Sequence, residues 1–101
     1  MATIKSGHYY DLREYALFEA RRFCPDQRIP LDRALAAANE GMRSGTSRIA
    51  ALEFYRLAAA NAIAHSDAVE GAERERYLDV AARAALRALH RDGSTDPILL
   101  E

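Results

Sequence analysis

The run from Thr46 to His65, TSRIAALEFYRLAAANAIAH, restricts the fold more than any other stretch. Placed on a helix at about 100° per residue, it has no single apolar stripe. Leu52, Tyr55, Ala59 and Ile63 fall on one flank, and Ala50, Phe54, Leu57 and Ala64 on the other. A narrow strip of Ile49, Glu53, Arg56 and Ala60 separates them. A helix that is apolar over most of its circumference belongs inside something. Other helices, or a second copy of the chain, are therefore expected to cover both flanks, burying Leu52 and Phe54 alike.

Flanking segments supply three more helices. Tyr9 to Phe23 brings Leu12, Tyr15, Ala16, Ala20 and Phe23 to one face, with Asp11 and Glu14 early and Arg21 and Arg22 late, as the helix dipole prefers. Residues 1–7 read as a loose N-terminus. Pro25 and Pro30 interrupt the helical pattern, and Pro30 suits the first position of a second helix carrying Leu31, Leu35, Ala38 and Met42. Ser44-Gly45 stops that helix, and Thr46 or Ser47 caps the central one. Ser66 or Asp67 then offers an N-cap, with Asp67 and Glu70 spaced as a capping box. A fourth helix from about Ala72 to Arg91 presents Tyr77, Ala81, Ala84 and Ala88 in one row, and Asp92-Gly93 ends it. A C-terminal tail, residues 94–101, closes the chain with Ile98, Leu99 and Leu100. The expected fold is all-α: a compact four-helix antiparallel bundle in a single domain, 1–101.

Alanine dominates the apolar residues and there is no Trp, so each residue buries little area. A formal net charge of -1 implies no general attraction to nucleic acid or membrane. Lys5 is the only lysine beside many arginines. That bias, with the alanine, is what a GC-rich genome produces, although Arg also suits anionic partners. Cys24 is the only cysteine, which forbids an internal disulfide, and no apolar run reaches the roughly 20 residues of a membrane span. A cytoplasmic protein of a bacterium or phage is expected.

Candidate chemistry is sparse. Cys24 follows two arginines but sits at a helix C-terminus, where the dipole opposes a thiolate. His8, His65 and His90 lack metal-ligand spacing. Asp67, Glu70 and Glu73 form an acidic ridge that a helix N-terminus explains by itself. Glu53 and Arg56 read as a partly buried pair, either an acid/base carboxylate with its partner or an ion pair fixing helix register. No catalytic, cofactor-binding or metal-binding residue is assigned, and no enzyme activity is expected.

The strongest functional lead is a row on the fourth helix, Arg76, Arg83 and Arg87, with His90 alongside. Together with Ile98, Leu99 and Leu100 it forms the expected partner-binding surface of a small adaptor or regulatory protein. The alternative is an accessory subunit or inhibitor of a nucleoprotein complex, with the Arg row contacting phosphate. Surplus apolar surface also points to a homodimer, with Tyr55, Tyr77 and Leu86 as contacts. Such a dimer would show a melting temperature that rises with protein concentration; a concentration-independent melt of a monomer by light scattering removes it.

Overall fold

The computed structural model describes residues 4–24, 29–45, 48–89 and 96–100. It contains four helices: α1 (Ile4–Arg22), α2 (Leu31–Ser44), α3 (Arg48–Asp67) and α4 (Gly71–Ala88). They form a compact antiparallel bundle, with a radius of gyration of 13.3 Å against the about 13 Å typical of a folded chain this long. Short connections impose the antiparallel order. At the α2 C-terminus Gly45 adopts φ 70° and returns its N–H to the Gly41 carbonyl at 3.0 Å, a left-handed cap that a side chain disfavours. Gly71 takes φ 67° at the start of α4, so the chain reverses across residues 68–70.

The helix α3 is the hub. It packs against each of the other three, and α4 also packs against α1. From Ala58 to Ile63 every residue of α3 is buried, so this stretch is covered on all sides. Ala58, Ala59 and Ala62 of α3 and Ala81, Ala84 and Ala85 of α4 share one core cluster. Alanine at such contacts permits the short end of the roughly 8–10 Å range of helix spacings. The helix α1 contributes Ala16, Leu17 and Ala20, and α2 contributes Leu31, Ala34, Leu35 and Ala38. Among the described residues, α2 reaches helix-packing distance of neither α1 nor α4. Ile98 of the tail, only 1% exposed, joins the core cluster with Leu35, Tyr55 and Val80.

Several expectations need correction. The helix α1 begins at Ile4, so residues 4–7 are helical; Gly7 weakens a helix by about 1 kcal/mol without stopping it. Leu17 takes a core position, while Tyr15 lies toward solvent. Ser66 and Asp67 belong to the last turn of α3 and cap nothing in α4: the Ser66 hydroxyl donates back to the Ile63 carbonyl at 2.7 Å. Glu70 holds the N-cap position of α4 with extended backbone and no side-chain cap bond. The helix α4 ends at Ala88, short of Arg91. Asp92 and Gly93 lie outside the described residues.

The N-terminal half of α3 is one-sided. Ala51 and Tyr55 are buried, Leu52, Phe54 and Leu57 are half-buried, and Ile49 is 80% exposed. Glu53 and Arg56 face solvent 3.9 Å apart, so the pair is an exposed ion pair and not a buried one. Only the stretch from Ala58 to Ile63 has its circumference covered.

These burials order the expected costs of truncation. Ile98→Ala should lose about 2–5 kcal/mol although it lies outside every helix, whereas Leu52→Ala and Phe54→Ala should fall at or below the low end of that range. Urea denaturation of the three variants tests the ranking; an Ile98→Ala loss smaller than either helix variant contradicts it.

Candidate functional site: a clamped segment between two helices

Residues 97–100 lie in the channel between α2 and α4, over α3. Pro97 borders the later half of α2 near Met42 and Arg43, while Leu100 lies beside Asp32 and Leu35 in its first half. The segment therefore runs antiparallel to α2.

Asn39, on the inner side of α2, holds it there. Its Nδ2 donates to the Ile98 carbonyl at 2.9 Å, and its Oδ1 accepts the Ile98 N–H at 3.2 Å. One side-chain amide thus pairs with both polar groups of one residue, as a neighbouring β-strand would. The same Oδ1 accepts the Tyr55 hydroxyl at 2.7 Å. Tyr55 in turn accepts from Arg87 Nη1 at 3.2 Å. These donors fix the amide's direction: turning it over would aim an NH2 at the Ile98 N–H.

Each member is placed by its helix. Tyr55 is fully buried on the apolar side of α3, one turn after Ala51. Arg87 lies seven residues after Val80 and three after Ala84, on the buried face of α4. It is 3% exposed, and its guanidinium lies over the Tyr55 ring, 5.6 Å from the centroid. A buried cation is tolerated where hydrogen bonds and a ring face replace water. The chain Arg87–Tyr55–Asn39–Ile98 ties α4, α3, α2 and the tail through polar groups that are largely withdrawn from solvent.

The residues expected to meet partners are thereby divided. Arg87 and Ile98 move from the proposed surface into the interior, and Leu100 is half-buried against the core. Tyr55, expected at a dimer contact, is at the centre of the network and cannot touch a second copy. Tyr77 and Leu86 are half-buried; Tyr77 stacks on His65 with ring centroids 5.0 Å apart. Arg76, Arg83 and Leu99 stay accessible and come together. With Asp79, Val80 and Pro97 they line a groove of about 340 Å³. Arg83 pairs with Asp79 at 3.9 Å, and Arg76 lies over the Tyr77 ring at 5.2 Å. His90 lies outside the described residues, as does the side chain of His8.

The arrangement suits recognition: it pairs with a peptide backbone, buries one aliphatic side chain and offers cations alongside. Among the described residues no group of His, Cys, Asp or Glu is placed to hold a metal ion. Asp67 lies 4.0 Å from both Arg21 and Arg74, which accounts for one member of the acidic ridge, and Cys24 is exposed. Among the described residues no helix is long and apolar enough to cross a membrane.

Asn39 escaped the sequence reading, and Tyr55 was expected only at a dimer contact, because their pairing joins residues 16 apart on different helices. Arg87 left a signal: its spacing from Val80 and Ala84 sets it on the buried stripe.

The contrast between neighbouring arginines is measurable. Arg87→Glu should destabilise by about 3–5 kcal/mol, because it breaks a buried charged network. Arg83→Glu should change stability by about 0–1 kcal/mol, as for exposed pairs. Equal melting temperatures for the two variants would contradict the burial of Arg87. Comparison with family models, with curated proteins and with solved structures found no match.

Proposed function

We propose that this chain is a small, non-enzymatic adaptor or regulatory protein that works by binding another protein, through the face where the tail meets α4. The observation carrying this reading is that Leu99, 59% exposed, shares one groove with Arg76 and Arg83. An accessible aliphatic side chain between fixed cations suits a protein surface of mixed acidic and aliphatic character. Val80, 3% exposed, gives the groove an apolar floor.

The same face supports the phosphate reading less well. With Arg87 buried, the described part of the row offers two accessible cations, and Asp79 lies in the same groove. A nucleic-acid surface generally draws on more positive charge than this.

The test is affinity capture from the source cells with the native chain and with an Arg76→Glu/Arg83→Glu variant, followed by calorimetry with the purified partner. The variant should fold with a melting temperature within a few degrees of the native chain and bind about tenfold or more weakly. A partner bound equally well by both removes this face. Retention of nucleic acid, lost steeply with salt, would favour the phosphate reading.

A further inference from the structure

We propose that the channel between α2 and α4 is a receptor site for an extended acidic–aliphatic protein segment, that the chain's own tail fills it, and that a partner's segment takes the tail's place. This rests on the reading of the chain as a protein-binding module that uses Arg76 and Arg83; the partner's own aliphatic residue takes the place that Leu99 of the tail holds beside them.

The clamp is directed at the backbone. Asn39 bonds the N–H and C=O of the residue at position 98 and makes no demand on its side chain. Any residue but proline can be held this way, in the manner of a peptide added to a sheet edge. Selection comes from the apolar site beneath, where Ile98 joins Leu35, Tyr55 and Val80 in the core cluster. An aliphatic residue is required there.

The tail is a partial occupant. Ile98 alone is fully buried, while Pro97 and Leu99 on either side are exposed. Beside Pro97 the channel continues as a cleft of about 520 Å³, lined by Ala36, Met42 and Tyr55 and by the ion-paired Glu40 and Arg43. A segment with a large apolar side chain just before the clamped residue would fill space that Pro97 leaves. It would thus gain contacts the tail lacks, which is what displacement needs.

Charge gives the occupant's remaining character. The seated residues are Asp96-Pro97-Ile98-Leu99-Leu100, an acid followed by an aliphatic run. Arg43 lines the cleft at one side, and Arg76 and Arg83 line the groove on the other. The tail is therefore a template for the segment that replaces it: acidic before the clamp, aliphatic at it and after it.

The experiment uses the full chain labelled with nitrogen-15 and, as probe, the synthetic peptide STDPILLE added in trans. Nuclear magnetic resonance should show saturable binding in which the Asn39 side-chain amide and the Ile98 N–H change together, while the Asn61 side-chain amide does not. The same peptide carrying Ile98→Asp should not bind. A chain carrying Ile98→Asp, which cannot seat its own tail, should take up STDPILLE about tenfold or more tightly than the native chain. If that variant is unfolded by circular dichroism, hydrogen exchange of the native chain decides. The Ile98 N–H must exchange about tenfold or more faster than the α3 amides from Ala59 to Ile63. Equal protection means the tail leaves only when the whole chain unfolds, and overturns the proposal. So does absence of peptide binding to a folded Ile98→Asp chain, or a dimer formed by tail exchange without peptide uptake. If STDPILLE binds but the Arg76→Glu/Arg83→Glu chain binds the captured partner as well as the native chain does, the outer-face reading alone falls.

Discussion

A side-chain amide partly withdrawn from water needs partners for both its oxygen and its nitrogen, and Asn39 finds them in a segment 59 residues away. This is the constraint on which the arrangement around α2 depends. Among the described residues α2 has α3 as its only helical neighbour. Its other inner contacts are with the tail, and Asn39 makes both hydrogen bonds to it. The Tyr55 hydroxyl lies between Asn39 and Arg87, accepting from the cation and donating to the amide. If the segment were lifted out, Asn39 would lose two of its three bonds and Ile98 would lose its apolar surroundings. Polar satisfaction and apolar burial thus support the same placement.

The rest of the molecule relies on small side chains. Alanines at the contact of α3 with α4 let two helices share a core without bulky residues, at the cost of burying little area per residue. Larger residues do their work where helices do not meet closely: Leu35 and Ile98 in the channel, Tyr55 beneath it. Asn61 adds a second polar tie, donating to the Ile29 carbonyl at 3.2 Å and so holding the connection before α2 against α3.

Local chemistry made part of this legible. The stop at Ser44-Gly45 depends on one residue's backbone freedom, and the Leu31, Leu35 and Ala38 stripe depends on one helix's period; both are visible in the sequence and present in the structure. The all-α bundle follows from the same periodicities. Features that depend on two elements were not visible. Glu53 and Arg56 look interior only if neighbours cover both sides of the early half of α3, and the pair's side stays more than half exposed. Arg83 and Arg87 look alike at a spacing of four, yet Tyr55 meets only Arg87. The apolar tail looks like a surface for others until Asn39 is known to face it. Of the expected binding residues, Arg76, Arg83 and Leu99 share one accessible groove because the tail folds back along α4, a return that no local signal announces.

That return also sets an order of assembly. Gly45 and the reversal at residues 68–70 join α2, α3 and α4 through short loops, so these helices can meet while closing little chain. Pairing Asn39 with Ile98 closes a far longer stretch, and it has a binding surface only after α2 and α3 are already side by side. On these grounds the segment is expected to be the last piece to settle. A core sealed by its latest-arriving piece would be, until that piece arrives, a three-walled channel with Tyr55 and Asn39 facing water.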